Sequence, residues 1–485
     1  MLQEIGGEAL KNKLHFIMTS FLRAAFVIAL ATAFTKVAAQ HEHHPAPAKD
    51  SVDHEMHQMP QTKAAGEDMQ HMDHGKSPAH TGMHMTHSFS LSLPMTRNGS
   101  GTGWQPDATP MYAYMKHGKK WNYMLHGSLF LRYTSQNFNN KNLLGSSAKI
   151  SAPNWLMGMA QRQVGKNGLL NIRAMVSLDR LTDGGAGYPL LFQSGESWKG
   201  SPLVNRQHPH DLVSELSVAY TQRINDQIDL TVYAGYPGEP ALGPTAFMHR
   251  MSAFNNPDAV LGHHWQDATH ITFGVVTAGV RYGKFKLEGS SFTGREPDEN
   301  RFNFDKMRFD SYSYRLLFNP SANWAMQVSR GFIKSPERLR PDENVNRTTA
   351  SVQHSAQLGG KNKWISSTLA WGLNNSGDHH KENSVLLESN LQLDKWSVYG
   401  RYEWVQKSVE ELGLRFIDVI VEDPFRISQF SLGLNRQLLT FKNTILQAGG
   451  QVGIYAIDDL LKSEYGKTPL SGQVYLRITP GLMKM

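Results

Sequence analysis

Trp121-Asn-Tyr-Met-Leu-His-Gly-Ser-Leu-Phe-Leu-Arg-Tyr-Thr134 sets Trp121, Tyr123, Leu125, Leu129, Leu131 and Tyr133 on one face. Asn122, Met124, His126, Ser128, Arg132 and Thr134 fall on the other. A repeat of two residues belongs to an extended strand, whose side chains alternate between its two faces. The same division recurs at Leu170, Ile172, Ala174, Val176 and Leu178 against Asn171, Arg173, Ser177 and Asp179. It recurs again at Trp396, Val398, Tyr402 and Trp404 against Ser397, Arg401 and Glu403, and at Val474, Leu476 and Ile478 against Gln473, Tyr475, Arg477 and Thr479. One face is apolar and the other polar or charged, which leaves little to build a second packed layer.

Working outward, sixteen such runs fall at about 121–134, 152–164, 168–180, 212–224, 227–236, 270–282, 284–294, 306–318, 322–334, 347–358, 362–374, 382–393, 395–406, 426–439, 443–456 and 470–480. Short connections such as Gly165-Lys-Asn-Gly168, Asn225-Asp226, Gly283, Gly359-Gly-Lys361 and Asp394 follow the even-numbered runs, and long ones follow the odd. Tight turns on one side and long loops on the other, with an even strand number, are the plan of outer-membrane barrels. Lipid cannot satisfy backbone amides, so a spanning sheet must close on itself, and a charge on its outer face costs about 2–4 kcal/mol at the midplane. The expected fold is therefore all-β: a transmembrane antiparallel β-barrel of about 16 strands, preceded by a disordered His/Met-rich segment. A soluble two-sheet sandwich is the rival. Aromatic residues at run ends, Trp121, Tyr133, Trp155, Tyr282, Trp324, Trp364, Trp396 and Trp404, are expected in the interfacial girdles. The last run closes Thr479-Pro-Gly-Leu-Met-Lys-Met485, without the final aromatic common in bacterial barrels.

The totals fit an exported barrel. At 485 residues a soluble chain would divide into two or three domains, but a long barrel runs as one unit. The absence of cysteine removes disulfides, thiolate nucleophiles and Cys zinc sites. Arg23 precedes the apolar run Ala24–Phe34, and Val37-Ala38-Ala39 supplies small residues for cleavage before Gln40, so residues 1–39 read as a signal peptide, with Met18 a candidate start. No other stretch is apolar for about 18 residues, the length a helical span needs. Residues 40–92 read as a disordered metal-binding segment, 93–120 as an extended Gly/Pro/Ser-rich linker, and 121–485 as the barrel. Localisation in the outer membrane of a Gram-negative cell, with the N-terminal segment in the periplasm, follows.

Within His41–His87 lie ten histidines, His41, His43, His44, His54, His57, His71, His74, His80, His84 and His87, and six methionines, Met56, Met59, Met69, Met72, Met83 and Met85. The segment has no apolar periodicity and too little apolar surface to offset the entropy of ordering. Imidazole suits copper, zinc and nickel, and thioether sulfur adds a preference for Cu(I), so the mixture without cysteine points to copper as the bound ion. Its net charge of −4 draws cations, whereas the chain from Ser88 onward sums to +9. The bland alternative is a solvated low-complexity linker. Lys and Arg are scattered through strand-like runs, which argues against a nucleic-acid partner. Expected partners are outer-membrane lipid, transition-metal ions and periplasmic metal-handling proteins; no organic cofactor is implied.

Two long loops concentrate polar chemistry. Residues 183–211 end Arg206-Gln-His-Pro-His-Asp211, and residues 237–270 contain His249-Arg250 and His263-His-Trp-Gln-Asp-Ala-Thr-His270. The hairpin between them puts both on one rim, from which they can fold inward together. His208, His210, Asp211, His263, His264, Asp267 and His270 could form a second metal site; the preferred reading is that they hydrogen-bond each other and the backbone to fix the loop shape. Met124, His126 and Met175, on the inward faces, could extend a soft-metal path. No Gly-x-Ser-x-Gly is present and the chain is read as a non-enzyme, with a hydrolase using the loop His and Asp residues as the third choice.

At Asn154-Trp155, Gly187-Tyr-Pro-Leu-Leu-Phe-Gln193, Arg206-Gln-His-Pro-His-Asp-Leu212, Gly238-Glu-Pro-Ala-Leu-Gly243, Phe247-Met-His-Arg250 and His263-His-Trp-Gln-Asp-Ala-Thr-His270 the chain resembles a poorly characterised family of Gram-negative outer-membrane proteins without an established activity. A His/Met-rich leader ahead of a barrel is similar to the copper-resistance outer-membrane proteins of the B type, which implies copper binding, sequestration or export. The main alternative is a porin-like channel for an anionic or neutral solute, favoured by the basic body.

Overall fold

The computed structural model describes residues 89–360, 362–377, 381–414 and 424–483. The expected signal peptide and every candidate ligand of the His/Met tract lie outside the described residues. Within them one antiparallel sheet of eighteen segments closes on itself. Ser147–Ser151 and Asn154–Val164 are two halves of one strand interrupted at Pro153, and Tyr114–His117 is a short extra strand, which leaves sixteen staves. Each expected run is one of them.

Closure depends on Asn122–Gln136. Its upper part pairs with the last strand, from Leu129↔Ile478 to Ser135↔Gly472, and its other edge pairs with Asn154–Val164 and Ser147–Ser151. The last strand leaves the edge below Leu129 bare, and Tyr114–His117 covers it, Tyr114 opposite Leu125 and His117 opposite Asn122. Tyr112 then bridges to Leu482, and the Met483 amide donates to Met111 O at 2.8 Å.

The faces divide as the alternation requires. Leu131 is 54% exposed while its neighbour Arg132 is 1% exposed. Leu129, Ile172, Val218, Val232, Leu316, Val328, Leu432 and Val474 join Leu131 on the outside, forming the lipid-facing belt of an outer-membrane barrel. Inside are Arg132, Arg173, Arg315, Arg401 and Arg477 with Ser, Thr, Asn and Gln. Among the expected girdle aromatics, Tyr133, Tyr282 and Trp396 face outward. Trp155 and Trp364 do not: Trp364 is fully buried and donates Nε1–H to Tyr112 Oη at 3.1 Å, a partner that lipid could not supply.

The lumen is filled. Residues 236–274 fold inward, and the hairpin Tyr188–Trp198 with Ser201–Gln207 closes over them. Together with the inner wall they build an apolar core that includes Leu191, Phe192, Val260, Leu261, Trp265, Leu386 and Tyr455. Residues 93–113 of the stretch read as a linker are also inside, and Tyr114–His117 joins the wall, a correction to the expected extended connector. Arg173 donates to Gly101 O at 2.8 Å, Lys286 to Thr102 O at 2.6 Å, and Asn319 to Gln105 O at 3.0 Å. Glycine permits this, since Gly101 has φ +49° and a Cβ there would meet Glu239 Cβ at 2.8 Å. Phe89, next to the His/Met tract, is buried in the lumen with Arg173 4.2 Å above its ring.

Candidate functional site

The inward fold brings the two expected loops together. His208 and His210 follow the returning strand of the hairpin, His263 and His264 occupy the one-turn helix His263–Gln266, and His270 ends the next turn. Ring centroids run His264 to His208 at 5.6 Å, His208 to His263 at 5.9 Å, His263 to His270 at 5.1 Å and His270 to His210 at 5.6 Å. Phe247 borders this group, 5.8 Å from His263 and 6.5 Å from both His210 and His270. Two residues beyond it, His249 lies 5.8 Å from His126, and both pack on Trp155. Seven imidazoles thus descend from the long-loop side to a strand position near the short turns, in a group of five and a pair.

Their hydrogen bonds fix which nitrogen is free. Nδ1 of His210 meets Asp179 Oδ2 at 2.6 Å, that of His263 meets Asp267 Oδ1 at 2.6 Å, and that of His264 meets Glu296 Oε1 at 3.2 Å. His270 Nδ1 donates to Asp267 O at 2.8 Å. A carboxylate or carbonyl only accepts, so in the neutral ring Nδ1 carries the proton and Nε2 keeps its lone pair. Nε2 of His210, His264, His270 and His126 is buried without a hydrogen-bond partner. This is the arrangement of metal-binding histidines, whose second nitrogen is held by a carboxylate or carbonyl.

The electrostatics keep most of these rings neutral. Burial, then the adjacent His264 and His263, pulls His208 well below the usual imidazole value. Burial with His263 and His210 brings His270 down to about 3. In His263 burial outweighs Asp267 and the shift is again downward. His264 goes the other way, because Glu296 overcomes the cost of burial. Burial alone would raise the Asp267 carboxyl, but His263 and Arg250 hold it below the ordinary carboxylate range.

Among the described residues no three His, Asp or Glu side chains are grouped so as to hold a metal ion. The loop histidines therefore form a line, not a closed cage. Asp211 stands aside, bonded to Arg301 at 3.0 Å, and Asp267 binds Arg250 at 3.1 Å and the Phe247 amide at 3.0 Å. The imidazole hydrogen bonds just described go to carboxylates and a carbonyl and not to a serine, so they give the hydrolase reading no nucleophile–base pair.

At the long-loop end, His264 lines a cleft of about 130 Å³ with Glu296, Glu337, Glu343, Glu382, Glu410 and Glu411 against Arg340 and Arg347. The basic excess of the body is not a bare cationic ladder. Arg132 is paired with Asp258, Arg250 with Asp267 and Glu388, Arg315 with Glu288, and Arg401 with Glu388. Asp179, Glu196, His249 and Glu296 were not nominated as site residues by sequence. Asp179 and Glu296 stand 31 and 32 residues from His210 and His264, Glu196 stands 12 from His208, which it meets at 3.2 Å, and His249 stands 123 from His126, so no local spacing marks them.

No protein-family model and no curated protein matches the chain. Solved structures similar to it include an anion-selective porin from Comamonas acidovorans, at 12% identity and TM-score 0.43, covering 74% of this chain and 100% of that one. OmpF of Salmonella typhi in complex with daunomycin is 9% identical at TM-score 0.45, covering 76% and 100%. The outer-membrane channel DcaP of Acinetobacter baumannii is 9% identical at TM-score 0.41, covering 76% and 99%.

Proposed function

We propose that this is an outer-membrane passage protein whose cargo is a transition-metal ion, copper foremost, handed along the histidine line through an otherwise filled lumen. The observation that carries the reading is the line itself: imidazoles each 5–6 Å from the next within the group of five, with Nε2 of His210, His264 and His270 buried without a partner while Nδ1 is held by a carboxylate or a carbonyl, and Nε2 of His208 facing Glu196 at 3.2 Å. The glutamate-rich cleft beside His264 raises local cation concentration at one end. The His/Met tract adds imidazole and thioether ligands, and periplasmic metal-handling proteins would exchange ions with it.

Replacing His208, His210, His263 and His264 together by Ala tests the reading. Copper bound per purified chain should fall, and should fall further when residues 41–87 are also deleted. Four substitutions that leave the metal content of both the full and the tract-deleted chain unchanged would make the imidazoles a frame for the loop and nothing more.

A second reading, a channel for an anionic or neutral solute, is favoured by Arg347 and Arg477. Both point inward and bond only to neutral groups: Asn374 and the His264 carbonyl for Arg347, Ser128 and Asn255 for Arg477. Solute-dependent uptake that survives the four substitutions would select it.

A further inference from the structure

Below the lower histidine pair lies a concentration of sulfur. Met95, Met124, Met157, Met159 and Met175 are buried in one cluster, and Met111, Met115, Met248 and Met483 pack against it with Trp155. These are nine of the twelve methionines among the described residues. Elsewhere among the described residues the inner wall carries polar and charged residues with Leu, Ile, Val, Tyr and Trp, such as Leu317, Ile333, Trp364, Leu386 and Tyr399, and no buried methionine. Filler would be spread wherever gaps occur and could be leucine; here Met115, Met124, Met157, Met159 and Met175 stand on neighbouring strands and Met95, Met111, Met248 and Met483 lie against them.

The strand register arranges them in rows. Met115, Met124 and Met159 are successive partners across three strands, and His126, Met157 and Met175 form the next row. Directly opposed side chains have Cβ atoms about 4.5–5.5 Å apart, so flexible thioethers in adjoining rows can turn sulfur lone pairs toward a common point. His126 Nε2, buried and without a hydrogen-bond partner, is the nitrogen donor of this grid.

We propose that the methionine cluster is a binding site for a soft, thiophilic monovalent cation of the Cu(I) class, with Met124, Met157, Met159 and Met175 supplying sulfur and His126 nitrogen. The inference rests on the transition-metal reading above and names the form of ion at its short-turn end. Thioether and imidazole together favour Cu(I) and Ag(I) over Zn(II), for which oxygen and nitrogen sites serve as well. No electron transfer is involved: the site takes ions that arrive already reduced.

The test uses Ag(I), a redox-stable probe, added to the full chain in detergent with methyl-labelled methionine. The Met124, Met157, Met159 and Met175 methyl signals should shift together, and Met307 and Met326, outside the cluster, should not. The variant Met124→Leu/Met157→Leu/Met175→Leu, chosen because Leu and Met are close in volume, should bind about one Ag(I) fewer per chain. Cluster signals that stay still in the native chain while other methionines move would overturn the site, whatever the folding of the variant. The two proposals fail separately. Loss of the histidine effect with these shifts intact sinks only the passage reading, and the reverse sinks only the sulfur site.

Discussion

His264 and Glu296 illustrate how a single contact sets a pH response. Glu296 holds the ring protonated above the usual imidazole range, and His264 holds the carboxyl below its own, each against the cost of burial. The raised imidazole stabilises the fold below its unfolded value, and that contribution fades as pH rises through the raised one. The lowered carboxyl stabilises above its ordinary value and is lost as pH falls through the lowered one. Metal must displace the His264 proton, so occupancy at this end should rise with pH on the alkaline side of about 6.5. Glu296→Gln should move that rise to lower pH, read as the difference between native and variant chains in Zn(II) titrations over a pH series. An identical pair of profiles would remove Glu296 from the account. Arg250 shows the complementary case: fully buried between Asp267 and Glu388, it ties the loop to the wall, and stripping one partner from such a pair costs about 3–5 kcal/mol.

At the scale of the strand, alternation is the whole of the folding code. Leu131→Arg should destabilise the barrel by about 2–4 kcal/mol if position 131 lies near the bilayer midplane, measured by denaturant unfolding in lipid vesicles; Arg at position 134, where Thr134 faces the lumen, avoids that lipid penalty. A Leu131→Arg barrel as stable as the native one would place this face away from lipid. The same alternation explains why the strands were legible: a face in hydrocarbon admits no charge, so the pattern repeats in every stave. Where lipid is not the arbiter, legibility fades. Trp155 and Trp364 look like girdle residues but sit inside, because an aromatic at a run end is compatible with either face. Residues 93–120 have no period and read as a connector, yet they are held by Arg173, Lys286 and Asn319 from three separate strands. Met157 and Met159 alternate inward in Asn154–Val164, a local signal that was visible, whereas their union with Met95 and Met483 exists only after closure.

For the molecule as a whole, the decisive question is what fills the ring. Sixteen strands enclose a bore wide enough for water, and here loop and N-terminal segment occupy it. Gly235 and Val275 are paired neighbours, so a tight turn can replace residues 238–270 without moving either strand. The native protein in a planar bilayer should show little steady ion conductance, and the shortened one should conduct. A shortened barrel that stays shut would assign the block to residues 89–113 and the hairpin Tyr188–Gln207. The two inward loops were foreseeable from their length and shared rim; the Asp179 and Glu296 carboxylates, 31 and 32 residues from the His210 and His264 they orient, emerge only in three dimensions.

The ring is fastened like a buckle. Tyr114–His117 finishes the edge that the final strand leaves bare, Tyr112 meets Leu482, and Met111 receives Met483. A nascent hoop lacking either tongue or clasp shows raw amide edge to its surroundings, an invitation to pair with the wrong neighbour. Assembly thus has a natural finishing stroke, in which the earliest and latest parts of the same hoop certify one another.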